Sequence, residues 1–276
     1  MGDMTADPFA GLDHESPHAP GELIQEFLRD TKRDFAKMRK IGIQLPKGSK
    51  TRHSMLPHLV RAGKALDAWL MTLALEPILS EADPLPIDVW AELLGGAVPI
   101  SETATSRAFA TLERLRLIER NSKAKGLVVR PLKEDGSGDP YTRPGSVRGE
   151  PGPGFFTIPH SFWLDGHATK MGTPGKIALL IGLAETTQYT SWEVATTKAQ
   201  EWYGVSERTL ERGYRELAKQ NLLLVHGQRI RAKRAAGGMT MIYHRALKDP
   251  FSTEARHAAQ AKAGEDVLAA MQRKKN

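Results

Sequence analysis

Apolar positions recur at helical spacing in two stretches of the chain that read alike. Thr209, Leu210, Gly213, Tyr214 and Leu217 fall on one face of a helix, with Glu207, Arg208, Glu211, Arg212 and Arg215 on the other. Ala104, Thr105, Ala108, Phe109 and Leu112 repeat this, with Glu102, Thr103, Ser106, Arg107 and Ala110 opposite. Directly before each stretch stands a serine, Ser101 or Ser206, whose hydroxyl suits it to cap the exposed N–H groups of a first helical turn. A further helical stretch closes upstream on a glycine, Gly95 or Gly204, so each copy predicts helix, turn, helix. Downstream come two β-type runs around a polar or basic loop. They are Leu117-Ile118, the loop Asn121 to Gly126 and Leu127 to Val129 in the first copy. In the second they are Leu222 to Val225, a loop around Arg229 to Gly238, and Met239 to Tyr243. Both sets predict β-hairpins.

The two copies are one module written twice. Laid over each other 105 residues apart, Ser101, Glu102, Arg107 and Leu112 meet Ser206, Glu207, Arg212 and Leu217, Phe109 meets Tyr214, and Leu117-Ile118 meets Leu222-Leu223. Upstream the offset is 109: Glu92 to Gly95 meets Glu201 to Gly204, Leu70-Met71 meets Leu179-Leu180, and Glu76 meets Glu185. The difference lies in the turn between Gly95 and Ser101. Around these copies the pattern changes. Residues 1–20, rich in Pro, Gly, His and acids without periodicity, are expected to be a disordered acidic N-terminus. Leu23, Ile24, Phe27, Leu28, Phe35 and Met38 predict a helix over Glu22 to Lys40, within a basic helical arm at 21–54. The modules are expected at 55–133 and 155–248, joined by a 134–154 linker with six Gly and four Pro in twenty-one positions. Residues 249–276 predict a basic C-terminal helix or tail, Ala-rich and helix-prone from Ser252.

The motif Ser-x-x-[Thr/Ala]-[Val/Leu]-x-Arg-x-[aromatic/Leu]-x-x-Leu with its following strand, seen at Ser101–Ile118 and Ser206–Leu223, resembles winged-helix DNA-binding domains of bacterial, plasmid or phage type. The resemblance covers roughly residues 58–132 and 156–247 and is sharper in the second copy. The first has a longer turn at Gly96 to Ile100, and Arg116 stands where a Gly or Asn usually closes the helix, as Asn221 does in the second. What it implies is a mainly α protein with small β-hairpins (α+β), two winged-helix domains in tandem with flexible termini. The Ser-started helix of each would enter the major groove and the hairpin wing would touch backbone or minor groove. The contact residues so implied are Thr103, Ser106, Arg107, Lys123 and Lys125 in the first copy. In the second they are Ser206, Arg208, Glu211, Arg212, Arg215, Arg229, Arg231, Lys233 and Arg234.

Composition adds direction to that picture. The chain of 276 residues carries a formal net charge of +7, which favours a polyanionic partner. Residues 1–28 hold six acids and no Lys or Arg, residues 29–64 hold eleven Lys/Arg against two Asp, and residues 206–246 hold nine against three Glu. Lys32, Arg33, Lys37, Arg39, Lys40, Lys47, Lys50 and Arg52 thus form either a phosphate-following arm or a solvated connector. Trp69, Trp90, Trp192 and Trp202 sit among apolar residues and are expected in the core. The chain holds no cysteine, which excludes disulfides, thiolate zinc sites and cysteine nucleophiles. Its nine His lack acidic partners at metal-ligand spacing, and Gly172 to Lys176 lacks the spacing of a phosphate loop. No cofactor and no enzymatic activity are expected, and no apolar run approaches the length of a membrane span. The expected partner is double-stranded DNA, with a homodimer left open, in the cytoplasm at the nucleoid. The expected role is a transcriptional regulator on an operator. The rivals are a plasmid or phage replication initiator on origin repeats and a winged-helix protein adaptor.

Overall fold

A computed structural model of the protein describes residue 19 and residues 21–79, 84–123, 126–146 and 154–273. The acidic segment 1–18, Lys125, residues 147–153 of the expected linker and the last three residues lie outside the described residues. The first copy is preceded by α1 (Glu22–Asp30) and β1 (Phe35–Arg39) and contains α2 (Leu56–Leu59), α3 (Ala65–Leu79), α4 (Ile87–Gly95), α5 (Glu102–Arg114), β2 (Ile118–Lys123) and β3 (Gly126–Pro131). The second is preceded by β4 (Phe155–Pro159) and contains α6 (Ser161–Leu164), α7 (His167–Lys170), α8 (Thr173–Glu185), α9 (Ala199–Tyr203), α10 (Glu207–Lys219), β5 (Leu223–Arg231) and β6 (Met239–Leu247). A long helix, α11 (Thr253–Arg273), ends the described chain. The fold is mixed α+β, and its described sheets are three antiparallel pairs, β1–β4, β2–β3 and β5–β6.

Each copy is built around one apolar helix. α3 and α8 are hydrophobic nearly all round, so each is wrapped by its own module: Trp69, Leu70 and Leu73 in one and Ile177, Leu180 and Leu183 in the other are at most 2 % exposed. An extended residue in each copy adds a bridge to its hairpin. Leu85 exchanges backbone hydrogen bonds with Leu127 (3.2 and 2.8 Å), and Trp192 exchanges two with Arg245 (2.9 Å each). The repeat even extends to the helix ends. Leu117 N–H donates to Leu112 and Arg116 N–H to Glu113, as Leu222 does to Leu217 and Asn221 to Ala218. Arg116 takes the left-handed conformation at φ 57°, against 58° for Asn221, so the first copy makes the same closure with an arginine where Gly or Asn is usual.

The segment expected as a helical arm is different. α1 stops at Asp30, Lys32 turns left-handed at φ 54°, and Phe35–Arg39 is a strand. Phe35 and Met38 satisfy a helical spacing, but both are buried through pairing with β4, a partner some 120 residues away that local periodicity does not reveal. Arg39 is no free cation: its Nη1 lies 2.9 Å from Glu134 Oε2 and its Nη2 donates to Thr142. Lys37 Nζ donates to the Pro144 carbonyl at 3.1 Å. The same contacts correct the expected linker, because Glu134 is 0 % exposed and Arg143 reaches back to Glu76 on α3. Burial pushes the Glu134 carboxyl up while the Arg39 guanidinium draws it down. The described part of the linker, residues 134–146 and Gly154, therefore begins as packed structure despite its Gly and Pro content.

The copies meet around an approximate two-fold axis. β1 and β4, the strands that lead into each copy, pair antiparallel with Lys37 opposite Thr157. Asp67 and Lys176, equivalent positions of the repeat at the 109 offset, form a buried ion pair across the junction. The closing turn of α4 packs on α7, where a Cβ on Gly96 would come within 3.0 Å of Thr169, and the closing turn of α9 packs on α2, where a Cβ on Gly204 would come within 2.3 Å of Pro57. Contact of one copy's turn with the other copy's short leading helix, and the reverse, is what an isologous interface requires. One continuous hydrophobic core runs through both copies.

Candidate nucleic-acid interface

α5 and α10 are set up identically. Ser101 Oγ accepts from the Ala104 N–H and Ser206 Oγ from the Thr209 N–H, each at 3.2 Å, and Glu102 and Glu207 stand in the first turns, where a helix dipole favours negative charge. In α5, Ala108, Phe109 and Leu112 are buried, with Trp90 edge-on to Phe109 at 4.9 Å. In α10, Leu210, Gly213, Tyr214 and Leu217 are buried, and Gly213 has no room for a side chain: a Cβ would lie 2.2 Å from the Pro174 carbonyl oxygen of α8. That close approach locks α10 against the core helix. Trp69, Trp90 and Trp192 are buried as expected, while Trp202 is half-buried beneath the Arg52 guanidinium.

The outward faces are polar and open. Thr103, Ser106 and Arg107 on α5, and Arg208, Glu211, Arg212 and Arg215 on α10, are all exposed, as is the capping Ser206. Arg212 is drawn to Glu216 at 3.3 Å, and Glu216 also accepts from the Gly172 and Gly175 N–H groups at 3.1 Å each, so this arginine buttresses the junction of α10 with α8. Arg107, Arg208 and Arg215 have no ion pair among the described residues. On the hairpin, Arg229 and Arg231 share one face of β5, opposite Met241 and Met239, and Lys233 and Arg234 occupy the turn; all four are exposed and none has an acidic partner among the described residues. A set of solvated cations held on a helix and an adjacent hairpin can neutralise a polyanion at several points. Among the described residues no group of three or more His, Asp or Glu that could hold a metal ion occurs.

The first copy adds residues that sequence patterning missed. A groove of about 530 Å3 between α5 and the β2–β3 hairpin is lined by Arg116, Arg120, Lys123 and Arg130, of which only Lys123 is expected from sequence. Arg120 is tied to Glu113 at 2.7 Å. The signal lay in strand alternation: β2 starts with Ile118 buried, so Arg120 is on the same face but beyond the core edge. No helix of the described residues is long and apolar enough to cross a membrane. Comparison with protein-family models, with curated proteins and with solved structures finds no match to this chain.

Proposed function

We propose that the chain binds double-stranded DNA sequence-specifically through two winged-helix modules, α5 and α10 entering major grooves and the β2–β3 and β5–β6 hairpins serving as wings. The observation that carries this reading is the repeated order of core helix, bridging residue, helix, Ser-capped helix and hairpin, with exposed unpaired cations on the last two parts of each copy. The order matches the motif resemblance, and the cations suit a phosphate backbone. Arg208 and Arg215, without an ion pair among the described residues, are assigned to base edges, whereas Arg212, held by Glu216, is assigned to orientation. The role we infer is occupancy of an operator as a transcriptional regulator. The two-fold relation of the copies favours it over an origin array, because two-fold-related reading helices match half-sites of opposite orientation.

The test is a comparison of specific and random duplexes. Arg208→Ala is expected to lose about 1–3 kcal/mol on the selected site and to relax preference at particular base pairs. Lys233→Ala and Arg234→Ala are expected to weaken both duplexes alike and to lower the salt slope by about 0.9 each. Equal losses on both duplexes for Arg208→Ala would remove α10 from base recognition.

A further inference from the structure

A cavity of about 710 Å3 opens between α10, the β5–β6 hairpin and residues 193–197. Much of its wall is apolar, from Val194, Ala218, Leu223, Val225, Met241 and Ile242, and its size is that of a small-molecule site. Arg245 lines the same space and is 8 % exposed. Its guanidinium sits 4.3 Å from the Tyr214 ring and 5.8 Å from the Tyr243 ring, and Nη1 donates to the Val194 and Tyr243 carbonyls at 3.1 and 3.3 Å. Among the described residues Nε and Nη2 have no hydrogen-bond acceptor, yet neither is sealed from solvent. No carboxylate pairs with Arg245 among the described residues: Glu193, at the cavity edge, is 2.9 Å from His244, and Glu211 is on the exposed face of α10.

A buried cation held only by carbonyls and ring faces is incompletely compensated, and the fold does not demand it. Arg245 stands opposite Val225 in its hairpin, and the first copy has buried aliphatic residues at both corresponding places, Val129 opposite Arg120 and Leu127 in the bridge to Leu85. We infer that this cleft binds a small anion with a planar apolar body, its charge on Nε and Nη2 of Arg245 and its body against Val225, Met241 and Tyr243. The ligand would touch α10 and the hairpin together, beside Arg215. Its occupancy is therefore linked to duplex binding, a regulatory half that rests on the function proposed above.

The intact chain can be titrated with anilinonaphthalene sulfonate, an aromatic anion, and with uncharged phenylnaphthylamine. Saturable binding of the sulfonate at one site per chain is expected, at least about tenfold tighter than the neutral probe, as a charge-assisted hydrogen bond supplies. Arg245→Gln is expected to abolish that discrimination. Ala218→Trp, at an exposed helix position that lines the cleft, is expected to block both probes with the thermal midpoint unchanged, which keeps the test decisive if Arg245→Gln does not fold. Equal affinity for the two probes, or sulfonate binding unaffected by Ala218→Trp, would overturn the site. Saturating sulfonate is expected to weaken duplex affinity several-fold; duplex binding indifferent to it would overturn the regulatory half. A chain that binds the sulfonate as described but no duplex would sink the proposed function and leave the site standing.

Discussion

Asp67 and Lys176 hold the same place in the two copies and carry opposite charge, 11 % and 5 % of their side chains exposed. Two separate identical subunits would place like charges on such an axis; a duplicated chain can put an acid in one copy and a base in the other. Burial pulls the Lys176 ammonium below its usual range, and Asp67 opposes that shift. Removing the acid alone strands the cation, so Asp67→Asn is expected to cost about 3–5 kcal/mol in urea denaturation, whereas Asp67→Leu combined with Lys176→Met recovers most of it. A loss for Asp67→Asn no larger than that of an exposed pair would show that the ammonium is solvated. Nothing in the sequence around either residue announces this pairing, because only the two-fold packing brings them together. The serine caps, by contrast, were legible, since a cap acts within three residues of itself.

At the level of elements, the legible parts were those whose stability is local. α5 and α10 begin and bury the faces their periodicity predicts, and both hairpins form, though their strands run further than the apolar runs, so Arg229 and Arg231 are strand residues. β1 and residues 134–146 were illegible for the opposite reason: a five-residue strand and a Gly/Pro-rich segment take their structure from distant partners, β4, Glu76 and Arg39. The crossing of α10 on α8 shows how far tertiary packing overrides propensity. Alanine favours a helix over glycine by about 1 kcal/mol. Gly213→Ala is nonetheless expected to destabilise by about 1–3 kcal/mol, because the methyl group meets the Pro174 carbonyl and Ala178 and forces the helices apart. A stabilised variant in thermal denaturation would mean that the two helices separate freely.

In the whole molecule, the two copies share one core, a strand pair and a buried ion pair, so α5 and α10 are held in one relative orientation. Sequence alone gave two modules on a linker; the repeat was visible, but the axis relating its copies was not. Under the proposed function, that orientation dictates the order of contacts on DNA. The direct measurement is base-resolution footprinting of the intact chain on a duplex selected from random sequence, alongside Arg107→Ala and Arg208→Ala. The expected result is two half-sites of opposite orientation, one lost with Arg107→Ala on α5 and the other with Arg208→Ala on α10. Half-sites in the same orientation, or a footprint that neither substitution alters, would contradict a two-fold pair of DNA-reading modules.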